Sequence, residues 1–146
     1  MHAVSKPQDY QFEYGKGAVI EDGGDAVAFG YGPVMLNEAL TASETLKSKG
    51  ISLKVVNLPW LNRIDPGWLE ETIGNCETVF AIDDHSFYGG LGDHLLNAFM
   101  ASNILRKKRL IKFGIEEHAA CGTPPEALRY HKMDGASLAT RIMAAL

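Results

Sequence analysis

Long hydrophobic runs are missing from this 146-residue chain. No segment approaches the ~20 consecutive apolar residues that a membrane-spanning helix needs, and the polar opening from Met1 to Tyr14 does not read as a secretory signal. Cysteine is scarce. Cys76 and Cys121 lie far apart and form no Cys-x-x-Cys pair, which argues against a disulfide framework or a zinc ribbon and leaves two free thiols in an expected cytoplasmic setting. Positive charge is not in excess: 14 Lys and Arg stand against 18 Asp and Glu, a net charge of -4, whereas a nucleic-acid footprint wants a basic face. The one basic cluster, Arg106 to Arg109, falls where a helix should end and a strand begin, so its cations complement a helix macrodipole. There is no Gly-x-Ser-x-Gly, and adjacency alone does not make His85 a general base for Ser86. Repeats and low-complexity tracts are absent too.

What is present is one domain's worth of ordinary globular composition, 46% hydrophobic and 22% charged. Residues 1–14 are polar and without period, and read as a linker or tail. Two short apolar runs, Ala18 to Ile20 and Asp25 to Phe29, flank Glu21-Asp22-Gly23-Gly24, a spacer that suits an antiparallel hairpin. A helical stripe of Met35, Leu36, Ala39, Leu40, Ala42 and Leu46 follows, stopped near Gly50. Leu53 to Leu58 reads as a strand. Asp65-Pro66 caps a short helix with Trp68, Leu69 and Ile73 inside. Thr78 to Ile82 is apolar on both faces, as a central parallel strand must be. Leu91, Leu95, Leu96, Phe99 and Met100 have the spacing of a helix lying on a sheet. Leu110 to Phe113 is the last strand. Thr123-Pro124-Pro125-Glu126 is a capping box, and Asp134 is placed to cap a final helix carrying Leu138, Ile142 and Met143. Alternation of strand and helix implies right-handed crossovers and a three-layer α/β/α sandwich.

Chemistry-bearing residues gather after the strands. Gly30-x-Gly32 invites a dinucleotide reading, but Met35 stands where the third glycine belongs and the next strand ends in Asn57 rather than an acid. Gly89-Gly90-Leu91-Gly92 opens a helix and suits a tight turn, close approach by another subunit, or an anion cradle, although Asp93 opposes an anion there. Asp83, Asp84, His85, His94, Glu116, Glu117, His118 and Cys121 are candidates for a metal or acid–base cluster. Zinc spacing wants paired ligands, and His118-x-x-Cys121 is half a pair. His85 and His118 both follow strands, so they are expected to share the carboxyl edge of the sheet, where charged side chains can also pair across an interface.

Five segments in order carry a resemblance: Gly15 to Ile20 (GKGAVI), Asp25 to Gly32 (DAVAFGYG), Val55 to Asp65 (VVNLPWLNRID), Ala81 to Leu96 (AIDDHSFYGGLGDHLL) and Cys121 to Asp134 (CGTPPEALRYHKMD). Together they resemble the C-terminal domain of transketolase-like, thiamine-diphosphate-dependent enzymes, a group with transketolase, 1-deoxyxylulose-5-phosphate synthase and the beta subunits of 2-oxoacid dehydrogenases. The likeness runs from about Tyr14 to the end. Gly89 to Asp93 looks more like short bacterial or archaeal transketolase-like chains than like a typical full transketolase, and the Asp84-His85 pair fits that group too.

The resemblance implies a domain over 15–146 with a five-stranded mixed sheet, the first strand antiparallel to the rest. It implies an accessory and dimerisation role in two-carbon ketol transfer or related 2-oxo chemistry, inactive alone. The pyrimidine-binding and diphosphate-binding domains of the same enzyme are the implied partners, within a homodimer. Thiamine diphosphate and Mg2+ are implied for the complete enzyme and not for this domain, which lacks the Gly-Asp-Gly metal motif. The ligand or interface edge is expected at Gly30, Gly32, Trp60, Asp84, His85, Gly89, Gly90, Gly92 and His118, with no catalytic residue and no metal ligand. The alternative is a freestanding regulatory module that binds a phosphorylated or nucleotide-like ligand at that edge.

Overall fold

A computed structural model describes residues 11–102, 104–106 and 108–146, so most of the expected tail over 1–14 lies outside the described residues. Five strands, β1 (Ala18–Glu21), β2 (Ala26–Gly30), β3 (Leu53–Asn57), β4 (Thr78–Ser86) and β5 (Arg109–Ile115), form one sheet in the order β1-β3-β2-β4-β5. Among the described residues α1 (Gly32–Lys47), α2 (Pro66–Ile73) and α3 (Leu91–Ala101) connect successive strands, and α4 (Pro124–Tyr130) and α5 (Gly135–Ala145) follow β5. β2, β3, β4 and β5 are parallel, and β1 runs antiparallel to β3.

The layering follows from strand periodicity. Successive side chains point to opposite faces, so a strand apolar at every position feeds two cores. Ala26, Ala28, Val55, Phe80 and Ile82 face α1 and α5, where Met35, Leu46, Leu138 and Ile142 are buried. Val27, Phe29, Val56, Val79 and Ala81 face α2 and α3, against Leu69, Ile73, Leu95 and Phe99. Local signals start and stop the helices as expected. Asp65 accepts from Trp68 N at 2.7 Å, and Thr123 with Glu126 closes the capping box.

Several expectations need correction. β1 and β2 do not pair as a hairpin, because β3 lies between them. The spacer instead turns past the start of β3, where a Cβ on Gly23 would sit 2.5 Å from the Leu53 carbonyl carbon. β4 does not end at Ile82 but runs on to Ser86, so the acidic pair and His85 belong to a strand and not to a loop. Leu96, Met100 and Met143 face outward, 38%, 65% and 42% exposed. Asp134 occupies the cap position of α5 without a capping bond, and Glu38 of α1 accepts from Gly135 N at 2.6 Å instead.

The direction of the crossovers positions the site. From β2 the chain leaves through α1 toward β3, and from β4 it leaves through α3, on the opposite face, toward β5. The carboxyl ends of β2 and β4 therefore flank the crevice where open α/β sheets place their ligands.

Candidate functional site

The crevice between β2 and β4 is closed by a hydrogen-bonded knot. Phe29 pairs with Ala81, so two residues on Tyr31 stands level with Asp83. Its phenol donates to Asp83 Oδ1 at 2.9 Å. His85 N donates to the same oxygen at 3.0 Å, and Leu91 N, in the first turn of α3, donates to Oδ2 at 2.8 Å. Asp83 is 3% exposed, and three donors satisfy a charge that would otherwise be costly to bury. Its position at a helix N-terminus adds favourable dipole interaction. Burial, and then the bond to Asp83, push the Tyr31 phenol well above its ordinary value.

His85 stands over this knot, facing solvent. Its Nδ1 lies 3.0 Å from Asp84 Oδ1, 3.4 Å from Asp83 Oδ1 and 3.3 Å from the Tyr31 hydroxyl. The Tyr31 and His85 rings stack with centroids 6.3 Å apart, while the His85 side chain remains 72% exposed. A bulge arranges this. Ile82 pairs with Phe113 and Ser86 with Ile115, so β4 carries two more residues than β5 over that stretch. The surplus turns Asp83 inward and His85 outward, the re-aiming that bulges provide beside functional sites.

The loop beyond is latched from β5. Lys112 Nζ contacts Asp93 Oδ1 at 2.6 Å, donates to Phe87 O at 3.1 Å, and lies 4.0 Å from the Phe87 ring centroid. Asp93 also accepts from Gly89 N, and the Lys112 ammonium first, then that amide, hold its carboxyl below the usual range. The expected glycines have internal reasons. Gly89 adopts φ +76, a Cβ on Gly90 would fall 2.4 Å from Asp83 Oδ2, and one on Gly92 would meet the Lys112 stem. Tyr88 is left 70% exposed at the tip.

The other expected edge residues divide. Gly30 is buried at the end of β2, and Gly32 opens α1 with φ +72. Trp60 follows β3, its rings 4.7 Å from both Phe12 and Tyr14, with Nε1–H donated to Glu13 O at 2.8 Å. All four strand-to-helix connections leave one edge, as parallel strands require. His118, Glu116, Glu117, His94 and Cys121 do not join the knot. Among the described residues the potential ligand cluster contains Asp83, Asp84 and His85 alone. That cluster does not fit a diphosphate-bound magnesium site, because both Asp83 oxygens are already committed to protein donors. The residue that organises it with Asp83 was the least visible in the sequence. Tyr31 reads as part of a Gly-x-Gly turn, and its only signal is its level in the register opposite Asp83.

A three-layer domain with a plugged switch-point crevice and an aromatic, charged carboxyl edge is thus the class that fold and site define. Known proteins place it further. The transketolase C-terminal domain family matches residues 15–138. A protein from Methanocaldococcus jannaschii described as a putative transketolase C-terminal section is 38% identical over 93% of this chain and 42% of its own length. A 1-deoxy-D-xylulose-5-phosphate synthase from Rippkaea orientalis is 30% identical over 77% of this chain and 17% of its own. A split-gene transketolase, solved as an inactive beta4 tetramer, superposes with TM-score 0.86 at 27% identity, over 99% of this chain and 46% of that one. The chain spans less than half the length of these relatives. It belongs to the transketolase C-terminal domain family.

Proposed function

We propose that this chain is the accessory domain of a transketolase-like, thiamine-diphosphate-dependent enzyme that transfers two-carbon ketol units or performs related 2-oxo chemistry. It acts with pyrimidine-binding and diphosphate-binding domains, in a homodimeric assembly, and is not catalytic alone. The single observation that carries this reading is the family match across residues 15–138. The names of two relatives, a C-terminal section and a split-gene transketolase, support a part that works within a larger enzyme.

In this reading the carboxyl edge is the face turned toward the rest of the enzyme. Asp84 and His85 pair with groups across the contact and are not an acid–base couple. Exposed Tyr88 and partly exposed Trp60 and Phe87 supply the aromatic surface that interfaces favour. The committed carboxylate of Asp83 supports a positioning role: its bonds set the angle at which His85 is presented. No helix among the described residues is long and apolar enough to cross a membrane.

Calorimetric titration of the chain with thiamine diphosphate and Mg2+ tests the assignment. The expected result is no saturable heat. Saturable micromolar binding, about -8 kcal/mol, would overturn the accessory role.

A further inference from the structure

The sheet ends in two outer strands, β1 and β5, and they differ. β1 has four residues and shifts register between Val19 and Glu21, so it presents little regular backbone to another chain. β5 has seven residues and no proline. Along a strand, successive peptide groups turn to opposite sides, so alternate residues bond the same neighbour. Arg109 N donates to Glu77 O, and Ile115 O accepts from Phe87 N. The odd-numbered residues of β5 therefore face β4, and the amides and carbonyls of Leu110, Lys112 and Gly114 point away from the sheet. Among the described residues no other strand pairs with this row. Leu110, Ile111, Lys112 and Gly114 are all only half-buried. Beside Gly114, a cleft of about 530 Å3 separates the strand from the α4–α5 junction.

The charges that often guard an outer strand are diverted here. Lysine commonly blocks pairing with a second chain. The Lys112 ammonium instead folds over the face of the sheet, donating to Asp93 Oδ1 at 2.6 Å and Phe87 O at 3.1 Å. Arg109 donates to Ala145 O at the end of α5.

Charge along the strand selects what can pair with it. Arg106 and Lys108 lead into β5, Arg109 opens it, and Glu116 and Glu117 follow it directly. Arg106, Arg109, Glu116 and Glu117 are exposed, and among the described residues none of the four closes an ion pair. Lys132 and Arg141 share the cleft with the glutamates but lie off the line of the strand, on the α4–α5 side. A strand that is basic at its start and acidic at its end repels a parallel copy of itself and attracts an antiparallel one. A two-fold axis through the middle of the strand produces the antiparallel arrangement, and two-fold symmetry is the commonest in homo-oligomers.

We infer that β5 docks a second copy of this chain, pairing antiparallel with its own counterpart so that two five-stranded sheets become one. Arg106 and Arg109 of each copy then lie beside Glu116 and Glu117 of the other. This rests on the homodimeric assembly proposed above and names the surface that forms it. Pairing runs along the flank of the sheet, so Asp84 and His85 remain open to the other domains of the enzyme.

Sedimentation of the 146-residue chain tests this beside two charge-reversed variants, Glu116→Lys with Glu117→Lys and Arg106→Glu with Arg109→Glu. The parent is expected at twice the chain mass of 15.9 kDa. Each variant alone should show a dissociation constant about tenfold or more above the parent's, because like charges then meet across the axis. An equimolar mixture of the two should recover the doubled mass, since each reversed end then faces its complement. Amide exchange of the parent keeps the inference testable if a variant does not fold. Protection at Leu110, Lys112 and Gly114 should rise with protein concentration, while Ile111 and Phe113 stay protected throughout. A parent monomeric at every concentration, an unchanged dissociation constant in either variant, folded variants that mixing does not rescue, or outward amides indifferent to concentration would each overturn the inference. None of these outcomes bears on the thiamine diphosphate titration, so the accessory reading fails separately.

Discussion

Tyr31 and His85 show how one buried carboxylate can set the properties of two neighbours. The Tyr31 phenol is pushed above its ordinary value of about 10 by burial and by its bond to Asp83. A pKa raised on folding contributes stability that is present below the unfolded value and is lost as pH rises through the folded one. Ultraviolet titration should therefore resolve one of the five tyrosines ionising late, and Tyr31→Phe should abolish that phase. A normal titration for every phenol would break the knot as described. For His85, the contact role predicts that His85→Ala in the complete enzyme weakens subunit assembly by about 1–3 kcal/mol while turnover per assembled unit persists. A fall in turnover of ~100-fold in fully assembled enzyme would make His85 a participant in the chemistry. The acidic pair and His85 were legible because they end an apolar run. Tyr31 was not, because its partner lies 52 residues away and only the pairing of β2 with β4 brings the two level.

Among the elements, the β4–α3 turn depends on a latch from its neighbour strand. Asp93 is held ionised by Lys112, so its contribution is present above the ordinary aspartate value of about 3.9 and drains away as pH falls through the depressed one. The protection factor of the Gly89 amide, taken relative to its intrinsic exchange rate at each pH, should fall on acidification in the parent chain and already be low at neutral pH in Asp93→Asn. Protection unchanged in that variant would mean that the turn holds itself. Helix and strand positions were readable because apolar spacing and caps are local: Asp65, Pro66, Thr123 and Glu126 act within a single turn of chain in each helix. Pairing was not. Nothing in Glu21 to Gly24 distinguishes a hairpin from a turn that steps past a strand formed much later in the chain, since the decision is made by β3 competing for the edge of β2. The outward Leu96 and Met100 were misplaced for a related reason. Apolar spacing marks a broad stripe, and only the residues that pack against it decide how much of it is covered.

At the scale of the molecule, one edge of the sheet gathers the strand-to-helix connections and the candidate site. Four connections, the knot, the Tyr88 tip and the Trp60 stack all emerge there, while the opposite edge carries the helix-to-strand returns. The Trp60 stack has a mechanical consequence. Phe12 and Tyr14 grip the indole from two directions, and the Glu13 carbonyl holds its nitrogen. Tension applied to the chain ahead of Phe12 is therefore borne first by the loop between β3 and α2, and only afterwards by β1. Whatever tugs on the start of this chain pulls directly on the working edge of the sheet, as a cord tied to a hinge and not to the door's far side.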